Sequence, residues 1–107
     1  MRKTIHDAAY DELLEWLKAI RAQRKREAKG ACTMRALVPR VMRLLGRPQM
    51  KFSWIAKIEQ KERRLDILEY VAYCLSLGID PHKGVQIIID HFINQKKIHN
   101  EMGKQRN

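Results

Sequence analysis

Residues 66–81 carry a helix start, a helix stop and a second helix start in quick succession. Asp66-x-x-Glu69 is a capping-box pattern: the aspartate accepts from a first-turn amide and the glutamate reaches back to the aspartate N–H. Gly78 suits the left-handed residue that closes a helix, because it has no Cβ to clash. Asp80-Pro81 repeats the opening signal, an N-cap followed by a proline whose missing N–H is harmless in a first turn. Punctuation this dense predicts helices joined by short turns. The rest of the sequence extends that pattern to an all-α chain of five helices, and its length suits one small domain with one core.

The first helix is expected from about Tyr10 to Lys25. Leu13, Trp16, Leu17 and Ile20 recur at helical spacing, and Leu14 broadens the stripe. Trp16 lies on that stripe and reads as core rather than as a stacking platform. Pro39 is tolerated only in a first turn, so the second helix is expected to start near Val38, with a separate turn at residues 33–37. Val41, Leu44 and Leu45 then face the core, Arg40 and Arg43 face out, and Gly46 caps the end. Pro48 opens a third helix, expected from Gln49 or Lys51 to Gln60. Its phase points Phe52, Ile55, Ile58 and Glu59 inward, and Lys51, Ser53, Trp54 and Lys57 outward. In the fourth helix Ile67, Leu68, Val71, Cys74 and Leu75 form the expected buried stripe. The fifth helix is expected over residues 81–97. Residues 1–9 and 98–107 read as flexible tails flanking a single domain at 10–97.

Charge is unevenly placed. Residues 1–64 hold 17 Lys and Arg against 7 Asp and Glu, whereas residues 65–107 hold 5 against 5. The whole net charge of +10 therefore lies in the front part, the electrostatic footprint of a polyanion binder. A solubilising charge excess or an anionic membrane surface is the alternative reading. Residues 1–10 lack an apolar signal core, and no apolar run approaches a membrane span, so no membrane partner is expected. Cys32 and Cys74 are single and far apart, with no CxxC or CxxH spacing, so neither a zinc site nor any other metal or cofactor is expected. Two reduced thiols fit a cytoplasmic protein. An enzyme is not expected: the chain has no glycine-rich phosphate loop, no clustered carboxylates and no Ser–His–Asp set. Asp80-Pro81-His82 reads as a helix start with a surface histidine.

Four pieces occur in an order that resembles the lambda-repressor-like (XRE, Cro-type) helix-turn-helix family. They are Leu17-Lys18-Ala19-Ile20-Arg21, Val41-Met42-Arg43-Leu44-Leu45-Gly46, Ile55-Ala56-Lys57-Ile58-Glu59 and Glu62-Arg63-Arg64-Leu65-Asp66. The resemblance spans residues 17–81. It implies a five-helix lambda-repressor-like helix-turn-helix domain with an extended C-terminal helix. The function it implies is sequence-specific binding of double-stranded DNA by a transcriptional regulator. The segment between Gly46 and Glu59 is longer than the family pattern, so residues 48–52 make either a longer turn or a longer recognition helix. The loop after the first helix is longer as well.

In such a domain the third helix lies in the major groove and the second crosses the backbone. Base-reading positions are then Gln49, Met50, Lys51, Ser53, Trp54 and Lys57. Lysine donates to guanine O6 or N7, glutamine grips adenine, and Trp54 packs on a thymine methyl or the sugar backbone. Gln49 and Met50 have the alternative role of filling the turn. Arg40, Arg43, Arg47, Lys61, Arg63 and Arg64 suit phosphate contacts, which position a protein without reading sequence. Arg64 has a second candidate role beside Asp66. The resemblance further implies an ion pair between Arg21 and Glu59 that fixes the angle of the third helix.

Three adjacent isoleucines, Ile87, Ile88 and Ile89, cannot all face one core, because neighbours on a helix differ by ~100°. Val85, Ile88, Ile89, Phe92 and Ile93 are therefore expected to form a dimer surface, giving a homodimeric repressor that reads a palindromic operator. The alternative is an antitoxin or anti-repressor type of module, in which the fifth helix grips a different protein.

Overall fold

The computed structural model describes the backbone of residues 7–28 and 32–103, and the side chains of residues 7–27 and 32–95. Within those residues the fold is all-α. Its helices are α1 (Ala8–Ala28), α2 (Met34–Leu45), α3 (Trp54–Glu59), α4 (Ile67–Leu77) and α5 (Pro81–Gly103).

Local signals set most of the boundaries. Asp7 caps α1 by accepting from the Ala9 N–H at 3.2 Å, so residues 7–9 are not part of a tail. Residues 1–6 of that expected tail lie outside the described residues, as do 104–107 of the other. Residues 98–103 correct the second tail, because they continue α5: no proline interrupts the helix before Gly103. The start of α2 is also corrected. Thr33 is its N-cap, with Oγ1 accepting from the Ala36 N–H at 3.2 Å, so residues 34–37 are helical and Pro39 lies inside. The cap and the buried face of Leu37, Val38 and Val41 outweigh the one helical bond that Pro39 cannot make. Gly46 and Gly78 both close their helices with positive φ, at 68° and 78°. The Asp66–Glu69 capping box is formed in both directions.

The core is one cluster. Leu13, Leu14 and Leu17 of α1 meet Leu37, Val38 and Val41 of α2, Ile55 and Ile58 of α3, and Tyr73, Cys74 and Leu77 of α4. Helix α2 runs antiparallel to α4. Arg40 donates to the Ser76 carbonyl at one end, and Arg47 meets Glu69 at the other. Helix α5 lies against α1 and α4 at a close approach through Gly84. A Cβ there would fall 2.1 Å from Tyr70 Oη and 2.7 Å from Leu13 Cδ1. The Tyr70 hydroxyl donates to the Pro81 carbonyl, and His91 of α5 pairs with Glu12 of α1.

Expected core assignments on α4 and α2 reverse. The stripe of Ile67, Leu68, Val71 and Leu75 is exposed, and only Cys74 of that set is buried. Helix α4 is apolar on both sides, and the larger rings of Tyr70 and Tyr73, with Leu77, take the inward side. Leu44 of α2 is exposed for the same reason, since it lies beside the outward face of α4. No described helix is long and apolar enough to cross a membrane.

Candidate nucleic-acid interface

The basic segment is built around the eight residues between α2 and α3, residues 46–53. Gly46 turns the chain in its left-handed conformation, with its own N–H on the Arg43 carbonyl and the Arg47 N–H on the Met42 carbonyl. The Trp54 N–H then bonds to the Lys51 carbonyl at 3.0 Å and starts α3. Of the two readings open from sequence, the longer turn is therefore the one adopted. Helix α3 is short, with Trp54, Ile55 and Ile58 buried in its six residues.

That geometry changes the assignment of Trp54. It is only 6% exposed and packs edge-on against Tyr73, with ring centroids 5.8 Å apart. It cannot reach a base, and its role is to root α3 in the core. Phe52, expected inside, is 54% exposed, because it lies in the turn rather than on the helix. The Arg35 guanidinium lies over its ring at 5.7 Å, a cation–π contact that brings the start of α2 beside the start of α3. Met50 is half-buried and packs on the core, which is the turn-filling role rather than the reading one.

The remaining residues of the segment face solvent. Gln49, Lys51, Ser53 and Lys57 are exposed, as are Arg35 and Arg43. Arg35, Arg43, Lys51 and Lys57 have no carboxylate partner among the described residues. The nearest acid along α3, Glu59, is turned inward. Arg21 donates to it through Nε at 2.6 Å and Nη2 at 2.9 Å; the resemblance implies an ion pair here, and its bidentate form is seen only in the structure. The bond to Glu59 is the main reason the Arg21 guanidinium holds its proton more tightly than usual. This pair ties α3 to α1 and keeps a negative charge off the exposed face.

The other cations of the expected phosphate set are held by acids or, for Arg40, by a backbone carbonyl. Lys61 has a positive φ of 63° and meets Asp11 at 3.2 Å, so it points back toward α1. Arg64 lies over the Tyr10 ring at 4.9 Å with Asp7 at 4.0 Å, and its candidate contact with Asp66 is replaced by Arg47, 3.8 Å from that carboxylate. Arg40 is half-buried on the Ser76 carbonyl.

Sequence reasoning missed the hub of this region. Glu69 is 1% exposed and does far more than cap α4. Its carboxylate accepts from the Asp66 N–H at 3.1 Å and from Arg47 at 3.2 Å, and it lies 2.9 Å from Arg63 Nη2. One buried charge thus fixes the segments before and after α3, as a desolvated carboxylate requires. The capping box marked the residue, but nothing local announces its arginines. Arg35 was missed because the helix was expected to start later; Thr33 was the available signal.

The arrangement offers exposed donors, an aromatic ring and unpaired positive charge on a short rigid helix and the turn before it. No group of three or more His, Cys, Asp or Glu among the described residues is placed to hold a metal ion. Comparison of this chain with family models, with curated proteins and with solved structures finds no significant match.

Proposed function

We propose that this chain is a sequence-specific DNA-binding transcriptional regulator of lambda-repressor-like, helix-turn-helix type. The observation that carries the reading is the set of four exposed cations without acidic partners among the described residues, Arg35, Arg43, Lys51 and Lys57, interleaved with Gln49, Phe52 and Ser53. Cations left unpaired keep their full attraction for phosphate, and counterion release from the duplex then drives association. Because half of α3 is buried, base contacts come from Gln49, Lys51 and Ser53 before it and from Lys57 on its exposed side. Arg43, which no carboxylate among the described residues balances, positions the domain on the backbone. Dimerisation follows the exposed apolar side of α5, where Val85, Ile89, Phe92 and Ile93 lie open while Ile88 is seated on the core. Two copies then read half-sites about one turn apart, ~34 Å, and repress by occupying the operator.

Selection of bound fragments from random double-stranded DNA tests this directly. An enriched, two-fold symmetric site is expected. Lys51→Ala with Lys57→Ala should weaken binding to it at least tenfold and flatten the salt dependence by about two phosphates. Enrichment of no sequence, or binding unchanged in the double variant, would rule the reading out.

A further inference from the structure

The outer side of α4 was expected in the core and lies instead in solvent. Leu68 is 60% exposed and Leu75 53%, and beside them Leu44 of α2 is 55% exposed. With Leu45, Val71 and Ala72 they line a shallow groove between the antiparallel helices α2 and α4. Contiguous exposed aliphatic surface of this kind marks contact sites, because leaving it in water is unfavourable. The one charged residue across 67–75 of α4 is Glu69, which is buried and does not line the groove.

Charge along the rim selects the occupant. The α2 edge carries Arg40, Arg43 and Arg47 in sequence, with Arg43 free of any carboxylate among the described residues. The only exposed acid at the groove's end, among the described residues, is Asp66, already beside Arg47 at 3.8 Å. A second copy of the chain would bring the same arginines to this edge. Its α5 face would meet the groove only as a head-to-tail contact, not as a two-fold one. An acidic partner is attracted where a second copy is repelled. The lined stretch of α4 spans ~12 Å at 1.5 Å per residue, the length of about two helical turns. That accommodates the i, i+3 or i+4, and i+7 anchors of one amphipathic helix.

We propose that the α2–α4 groove is a docking site for an amphipathic helix of a different protein, with apolar anchors flanked by Asp or Glu. The groove's apolar lining belongs to none of the proposed DNA contacts, and Arg43 is the residue that the two readings share.

The test is selection from a displayed library of single-helix peptides. Their i, i+3, i+4 and i+7 positions are randomised among apolar residues, and their flanks among Glu, Gln and Lys. Peptides with glutamate flanks are expected to emerge. Their binding should fall at least tenfold with Leu68→Asp and with Arg43→Glu, and stay unchanged with Lys57→Ala. Leu68→Asp adds an acid to the first turn of α4, which that helix terminus favours, so the variant keeps its helical circular dichroism. Failure to enrich peptides against a Leu68→Asp counter-selection, or enrichment of lysine flanks, overturns the proposal. So does sedimentation showing a homodimer that Leu68→Asp dissociates, which would give the groove to a second copy.

Discussion

Glu59→Gln is the most informative single change in the molecule. The Arg21–Glu59 side chains are 14% and 16% exposed and make two short bonds, so the charge of each is balanced almost wholly by the other. Removing one partner of a buried pair strands the other at roughly 3–5 kcal/mol. The substituted amide would keep one acceptor for the guanidinium and neither side chain is fully buried, so about 2–3 kcal/mol is expected here. Against a total stability of roughly 5–15 kcal/mol this is a large share, and a fall of about 10 °C or more in Tm should accompany it. Urea titration followed by far-ultraviolet circular dichroism measures the loss, with the slope unchanged if only stability moves. The double variant Arg21→Met with Glu59→Leu strands no charge and should recover to within about 1 kcal/mol of the parent. It should still bind the selected operator at least tenfold less well, because core packing alone then sets the angle between α1 and α3. A Glu59→Gln protein as stable as the parent would refute the reasoning, and so would a double variant no better than the single.

Two further outcomes follow from the packing. Gly84→Ala places a methyl 2.1 Å from Tyr70 Oη and 2.8 Å from Trp16 Cζ3, so α5 must shift; about 1–3 kcal/mol should be lost in urea titration, and an unchanged midpoint would contradict the close approach. Burial pushes the Cys74 thiol up to about 11, so the folded chain holds that proton where the unfolded chain releases it. Stability is therefore fully present below about pH 9 and declines toward pH 11, by roughly 2–3 kcal/mol for this group; Cys74→Ala should show a correspondingly smaller loss over the same interval.

How much of the interface was legible depends on the range of each signal. The exposed positions Gln49, Lys51, Ser53 and Lys57 follow from local sequence, because charged and small polar residues rarely go inside. Arg21 with Glu59 was reachable only through a family pattern, as 38 residues separate them. Trp54 and Phe52 exchanged their expected places. The phase of a helix depends on where it starts, and α3 starts later than Pro48 announces. Glu69 shows the limit most clearly: its bond to Asp66 is local, whereas Arg47 reaches it across 22 residues.

The sequence alone determined that this chain is helical, where α4 begins and ends, where α2 ends and where α5 begins. Caps, prolines and glycines act on backbone groups within about one turn, so they can be read in isolation. Only the tertiary structure decided which side of α4 is buried and which of the front-half cations remain unpaired. Helix α4 has apolar residues on both sides, and a basic residue looks the same in sequence whether its acid is absent or on another helix. Those choices rest on packing and Coulomb contacts between distant segments, which exist only once the helices have come together.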